Sequence, residues 1–326
     1  MQYLRTESPE RGLAGNTPIY SFAWQPKRSM LYAVDRLVRK HRQAVSKELG
    51  PLVRAHYPAL IDKDDIEYPK MLELSTKMTM AGHACSEIAG FQFDEHRLAL
   101  SALYGGCCFL ADSFIDEYGE AVAREYIDRF ELLLTKGWFE IRNEREQLFY
   151  AILSRIFSRR DVLEPMLRQA IFSLFLAQKR DVVLRLNAPT FRALPRSRQL
   201  AMLRQCARDR GGHTIMVLTC LLAPHVPLRY QHLIFLAGAL FMFIDDHGDC
   251  SADWRSNRIT YMNQVRFPEL TLGGIVDATM RKLVTGLPDN PGKDLICTFL
   301  FRYFVTRIEK HALEQKKGGL SWAVYE

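Results

Sequence analysis

An all-α fold is the class this sequence predicts, on three observations. Apolar residues recur at three- and four-residue steps in nearly every segment, the spacing of one helical face. No run alternates apolar and polar residues for long enough to argue for a strand. Proline and glycine collect at a few breaks, namely 187–189, 223–227, 267–268 and 287–292, instead of punctuating the chain at strand-like intervals. The 326 residues are 48% hydrophobic and 25% charged, the composition of a soluble globular protein with a substantial core. Without a repeat, a low-complexity tract or a dividing linker, the expectation is one domain of about ten helices.

Residues 29–49 put Leu31, Val34, Leu37 and Val38 at helical spacing and are expected to stop at Gly50-Pro51. Residues 68–90 repeat the pattern with Met71, Leu74, Met78 and Ala81, and 94–117 form a helix that ends in acidic residues. Further helices are expected over 119–136, 143–158, 161–186, 196–222, 227–254, 273–286 and 292–315. Residues 1–28, rich in proline, glycine and polar groups, read as a flexible arm or lid. The helical domain then covers 29–315, and 316–326, with Lys316-Lys317-Gly318-Gly319, form a mobile tail.

The N-terminus lacks the apolar core of a signal peptide, and the apolar run Leu233–Ile244 falls short of the ~20 residues a bilayer needs. Seven cysteines, an odd number without framework or metal-ligand spacing, fit a reducing compartment, with Cys107-Cys108 as packing residues. A cytoplasmic location is expected, with at most peripheral membrane contact. A homodimer is compatible with the pattern. The net charge of +7 suits nucleic acid, an anionic substrate or an anionic membrane surface. The basic residues are scattered and no groove-reading motif is present, so no nucleic-acid partner is expected.

Two acidic clusters end strongly apolar stretches. Asp112, Asp116 and Glu120 fall four apart on one helical face, with Glu117 beside them; Asp245, Asp249 and Asp253 do the same, with Asp246 adjacent. A stripe of like charges repels itself by roughly 0.2–0.5 kcal/mol per neighbouring pair, and acids at a helix C-terminus also oppose the macrodipole. A solvated helix end is one reading. The other is a cage for hard divalent ions, which prefer carboxylate oxygens. The basic and polar segment Trp254-Arg255-Ser256-Asn257-Arg258-Ile259-Thr260-Tyr261 favours the second reading. Carboxylates bind metal, metal binds phosphate oxygens, and arginine and tyrosine hold the remaining oxygens, a combination suited to ionising a diphosphate ester.

The paired DxxxD(E) motifs resemble those of class I isoprenoid synthases. Asp249-x3-Asp253-x4-Arg258, continuing Ile-Thr-Tyr-Met-Asn-Gln, is similar to the second motif of the squalene/phytoene synthase branch. Gly211-Gly212 in RDRGGHTIMVLTCLL resembles a glycine break that this branch and the class IB terpene cyclases carry in the preceding helix. The resemblance covers residues 70–310 as a helix pattern and is specific only at the two motifs. It implies a single helical bundle around a central apolar cavity, with a cluster of two or three Mg²⁺ ions as cofactor. Asp112, Asp116, Asp249 and Asp253 would bridge those ions to a prenyl diphosphate. Arg258 and Tyr261 would donate to the diphosphate, and Glu117, Asp245 and Asp246 would complete or tune the metal site. The Asn-Ser-Glu triad of ordinary class I cyclases is absent, the N-terminal signature of phytoene synthases is not recognisable, and the extra Asp245-Asp246 pair leaves the metal-facing register open. These departures favour a terpene synthase acting on one allylic substrate over a head-to-head prenyltransferase, and the resemblance to this branch implies a substrate of C20 or longer. A non-catalytic helical protein that binds prenyl lipids is the other alternative. A di-iron bundle lacks its Glu-x-x-His pair here.

Lys179, Arg180 and Arg185, and Arg208 and Arg210, are candidate diphosphate ligands, with a solvated charged face as the alternative. Tyr104, Phe109, Phe114, Phe175, Phe241 and Phe243 are candidate cavity walls that could stabilise a carbocation, or ordinary core. His247 is expected to be hydrogen-bonded behind the site, with ligation or proton acceptance as the alternative. Arg302-Tyr303 is similar to an Arg-Tyr pair near the end of many terpene cyclases.

Overall fold

Helix follows helix from Arg28 to Gly318, and among the described residues there is no strand. The structure, a computed structural model, describes residues 22–62, 66–116, 119–158, 164–186, 188–256 and 258–318. In chain order the helices are α1 (Arg28–His56), α2 (Ala59–Asp62), α3 (Glu67–Ile88), α4 (Glu95–Asp116), α5 (Gly119–Lys136), α6 (Glu144–Phe157) and α7 (Pro165–Leu186). They continue with α8 (Ala188–Arg192), α9 (Arg196–Leu222), α10 (Leu228–Gly248), α11 (Cys250–Arg255), α12 (Tyr261–Gln264), α13 (Pro268–Gly286) and α14 (Pro291–Gly318). The all-α expectation holds, with fourteen helices among the described residues in place of about ten because the four short ones carry too few residues to show a period.

Three boundaries differ from the sequence reading for identifiable reasons. α1 runs through Gly50-Pro51 instead of stopping there. A mid-helix proline costs about 3 kcal/mol, but Leu49 and Val53 on either side are fully buried, and each contributes about 1.5–3 kcal/mol. α13 begins at Pro268, five residues early, because proline suits the first helical position, where its missing N–H has no partner to lose. The stretch 227–254 is not one helix: Asp249, at φ −104° and ψ 1°, separates α10 from α11.

One apolar core runs through the bundle. α3 packs against α1, α4, α9 and α14; α9 lies between α7 and α10; and α10 also contacts α13 and α14. α3 is buried on nearly all sides, as an apolar central helix must be. Its buried hydroxyls are satisfied within the helix, Thr76 donating to the Leu72 carbonyl at 2.6 Å and Thr79 to that of Ser75 at 2.8 Å. Two helical stretches, Glu95–Ile115 and Leu228–Gly248, are long and apolar enough to cross a bilayer by length and composition. The shorter run Leu233–Ile244 had argued otherwise. Both stretches pack inside the fold, the first with 67% of its apolar window buried and the second with 44%.

Of the expected N-terminal arm, residues 1–21 lie outside the described residues. Its end is docked: Phe22 meets Phe301 and Phe304 edge-on at 5.8 and 5.4 Å, and the Ala23 amide donates to Asp277 at 3.1 Å. Of the tail, 316–318 continue α14 and 319–326 lie outside the described residues. All seven cysteines are free thiols.

Candidate functional site

The apolar face of α10 ends at Ile244, and the next turn delivers Asp245, Asp246 and Asp249 at the end of the helix. Asp249 closes α10 by donating its amide to the Asp245 carbonyl at 3.0 Å, and its own carbonyl accepts from the Asp253 amide at 2.9 Å to start α11. The four aspartates therefore sit on a helix–helix corner, and the corner gives them two sets of neighbours.

Asp245 and Asp249 meet cations from α14 and α3. Arg307 donates to Asp245, and its other terminal nitrogen lies 3.4 Å from Asp249; Lys310 stands 3.7 Å from Asp249 and Lys77 3.9 Å from Asp245. Tyr303 donates its hydroxyl to Asp245 and accepts from Lys77 at 3.0 Å and from Arg307 at 2.9 Å. That uses the one donor and both acceptor sites of a phenol, so its orientation is fixed. Gly248 admits this arrangement: a Cβ there would lie 2.6 Å from Cδ of Arg307. Phe241 stacks on the Tyr303 ring at 4.6 Å, with Phe299 beside both.

The electrostatics follow from these contacts. Burial works to raise the Asp245 carboxyl, but the charges of Lys77 and Arg307 and the bonds from Tyr303 and Arg307 outweigh it and hold the group below the usual carboxylate range. Asp249 moves up, through burial and the neighbouring Asp245 charge, against the pull of Arg307 and Lys310. Asp246 is pushed up to about 8, chiefly by burial and then by Asp253 and Asp245, with Arg210 and Arg258 opposing. The extra Asp-Asp pair thus resolves into one ionised and one largely protonated carboxyl at neutral pH.

Asp246 belongs to the second set of neighbours, with the buried Asp253 and Arg210 and the half-buried Arg258. Arg210 also pairs with Asp181 of α7 at 3.4 Å. Its position on α9 depends on a close helix crossing: a Cβ on Gly211 would lie 2.4 Å from the Gly238 carbonyl oxygen, and one on Gly212 2.3 Å from the Phe235 ring. The two glycines do not break α9, which is continuous from Arg196 to Leu222. Their role is to let α10 approach. Arg258 and Tyr261 are held by the Thr260–Asn263 capping box, with Asn263 also donating to the Arg258 carbonyl at 2.7 Å. Arg258 and Trp254 line a cavity of about 320 Å³ with Arg192, Arg196 and Gln199. Tyr261 meets Phe243 edge-on at 5.7 Å.

In the first cluster, Asp112 accepts from Gln178 of α7 at 3.3 Å, and its charge raises the neighbouring Cys107 thiol, which burial already lifts, to about 12. The side chain of Asp116 and all of Glu117 lie outside the described residues, as does the side chain of Glu120. Asp112 and Asp246 thus each border the α7–α9 pair, through Gln178 and Arg210.

The other candidates go elsewhere. Lys179 pairs with Glu131 at 2.7 Å and Arg180 with Asp209 at 2.9 Å, because successive residues of α7 turn away from the face that carries Gln178. Arg208 lies over the Phe235 ring, and the Arg185 side chain is outside the described residues. Tyr104 donates to the Thr214 carbonyl at 3.0 Å and bridges α4 to α9. Phe114 stacks on Tyr126 at 4.7 Å, Phe175 packs with Ile115 and Val182, and Phe109 rests against the main core. Arg302 pairs with Asp35 at 3.2 Å. His247 is fully buried against the His311 ring, and neither ring nitrogen has a hydrogen-bond partner, contrary to the hydrogen-bonded role expected of it.

Sequence reasoning missed Lys77, Arg307 and Lys310. The signal for the last two was present: Tyr303, Arg307 and His311 are four apart, with Lys310 beside them, a polar stripe continuing the largely apolar run Leu295–Phe304. No protein-family model matches this chain, and no curated protein matches it.

Proposed function

We propose that this chain is a class I-type terpene synthase that ionises an allylic prenyl diphosphate of C20 or longer and releases pyrophosphate. One observation carries the reading. Asp245 and Asp249 are interleaved with a phenol, a guanidinium and two amines drawn from two other helices. Such a mixture supplies hard oxygens for metal and donors for phosphate in one place.

In this reading the carboxylates of Asp112, Asp245, Asp249 and Asp253 would hold Mg²⁺, with Asp116 and Glu117 as the further sequence-predicted ligands and Asp246 joining them once it gives up its proton. When bound, Mg²⁺ neutralises negative charge on the departing diphosphate. Arg307, Lys77 and Lys310 exchange carboxylate partners for diphosphate oxygens, Tyr303 turns its one hydroxyl proton from Asp245 to the same group once those cations leave it, and Arg258 and Tyr261 hold its far side. Phe241 and Phe299, stacked with Tyr303, offer aromatic faces beside the bond that breaks, each worth about 0.5–2 kcal/mol to a cation. The reading requires an apolar space that holds the prenyl chain and keeps water from the cation, with Phe241 and Tyr104 as its candidate walls.

The test is incubation with prenyl diphosphates of ten to twenty-five carbons and Mg²⁺, with pyrophosphate assayed and the extract read by mass spectrometry. The expected result is pyrophosphate release with a product of unchanged carbon number, abolished in Asp112→Ala and Asp249→Ala while the helical circular dichroism persists. A hydrocarbon of doubled carbon number would transfer the assignment to head-to-head condensation. Thermal stabilisation by ligand without release at any chain length would transfer it to prenyl-lipid binding.

A further inference from the structure

Beneath the acidic corner lies a different group of side chains. His247 comes from the last turn of α10, Glu269 from the first turn of α13 and His311 from α14, and their nearest donor atoms all fall within 4.8 Å of one another. His311 Nε2 and a Glu269 carboxylate oxygen are 3.6 Å apart, and the two imidazole rings are 4.7 Å apart centre to centre. His247 is fully buried, yet both its ring nitrogens are without a hydrogen-bond partner. A neutral imidazole carries one donor and one acceptor, and leaving both unmet in a protein interior is costly. Three elements that pack on one another thus bring two imidazoles and a carboxylate to one point, with an unsatisfied ring aimed into it.

The geometry points to a binding site for a divalent first-row transition ion, Zn²⁺ being the best match, formed by His247, Glu269 and His311 and distinct from the aspartate corner. Two nitrogens and one oxygen suit a borderline ion and disfavour Mg²⁺, which prefers oxygen ligands. Ligand bonds of ~2.0–2.2 Å around a tetrahedral ion separate donor atoms by about 3.4 Å, close to the 3.6 Å between His311 and Glu269, so a small closure within the 4.8 Å bound of the group completes the site. Glu269 is partly exposed and so gives the cluster contact with solvent, and three protein ligands with water in the fourth position is a common zinc arrangement. The ion would join α10, α13 and α14 directly below Asp249 and fix the helix end that carries the acidic residues. This inference stands apart from the proposed catalysis, since its readout is ion binding and not turnover.

The experiment begins with protein stripped by chelator and titrates Zn²⁺ against a chromophoric competitor, with Co²⁺ as the spectroscopic probe. One equivalent is expected to bind, Co²⁺ is expected to show visible bands of a low-coordinate site, and the thermal midpoint is expected to rise with Zn²⁺. His247→Gln, Glu269→Gln and His311→Gln should each weaken binding by about 100-fold or more, since even outer groups of metal sites cost 10–100-fold. If either histidine variant fails to fold, the partly exposed Glu269→Gln decides the matter. Wild-type protein that takes up no Zn²⁺ against the competitor overturns the inference, as does Glu269→Gln binding with unchanged affinity or displacement of Zn²⁺ by Mg²⁺ at comparable concentration.

Discussion

Asp246→Asn is the most discriminating substitution at the acidic corner. Asp246 stays protonated up to about pH 8 in the folded chain, whereas an unfolded aspartate loses its proton near pH 3.9. Between those values the native state holds a proton that the unfolded state releases, so stability falls as pH rises. The limiting slope is about 1.4 kcal/mol per pH unit for one proton. The side chain retains some solvent contact and faces Arg210 and Arg258, so a total of about 1–2 kcal/mol between pH 5 and 7.5 is the reasonable magnitude. Asparagine keeps the shape of the protonated acid and cannot ionise. The variant should therefore match the wild type only near pH 4 and below, lead it already at pH 5, and widen that lead by about 1–2 kcal/mol between pH 5 and 7.5. The assay is urea unfolding followed by circular dichroism in the presence of chelator, at several pH values, comparing the two proteins at each. His41 and His247, both lowered to about 4 by burial and nearby positive charge, contribute a slope of the opposite sign, common to both proteins. An Asp246→Asn variant that is less stable than wild type at neutral pH would refute the reasoning, because it would mean that the carboxylate is ionised and paired with its arginines.

Three further outcomes are expected. Arg307→Met removes a cation shared by Asp245 and Asp249. It should cost about 1–3 kcal/mol in urea unfolding, below the 3–5 of a fully buried pair because both carboxylates retain solvent, and should reduce pyrophosphate release by about 100-fold or more; an unchanged rate would remove Arg307 from the site. Gly238→Ala places a Cβ 2.4 Å from the Gly211 carbonyl oxygen and 2.8 Å from Ile215 Cγ1. Overpacking of about 1–3 kcal/mol should then exceed the ~1 kcal/mol helix-propensity gain of alanine, so a stabilised variant would show that the crossing is loose. Mg²⁺ alone should bind weakly, because Lys77, Arg307 and Lys310 already balance Asp245 and Asp249. Calorimetry should show much tighter binding once pyrophosphate is added to occupy those cations, and equal affinity with and without it would contradict the exchange of partners.

The legible and the illegible parts of this molecule divide along the reach of the interactions. Helical spacing is local, so α3, α4, α9 and most of α14 could be read within a few residues, and so could the two acidic ends, which are anomalies of local pattern. Pro51 and Asp249 went the other way because tertiary burial of Leu49 and Val53, and the turn from α10 into α11, decide them. Partner choice is less legible still. Lys179, Arg180 and Arg210 are equivalent in the sequence, yet the register of α7 sends two of them to Glu131 and Asp209, while the Gly211–Gly238 crossing holds the third close to Asp246. Arg307 lies 58 and 62 residues from Asp249 and Asp245, and Lys77, which also pairs with Glu73 one turn away, reaches Asp245 from another helix; no periodicity connects positions on separate helices. Gly211-Gly212 shows that a motif can be recognised while its mechanics are misread: the pair reads as a break, but its physical content is the absence of two side chains at a helix crossing. An acidic stripe read alone therefore overstates its own repulsion. In the folded chain Asp245, Asp246 and Asp249 each have their own compensation, a cation, a phenol or a retained proton, and the chemistry available at the corner depends on which of these a ligand can displace.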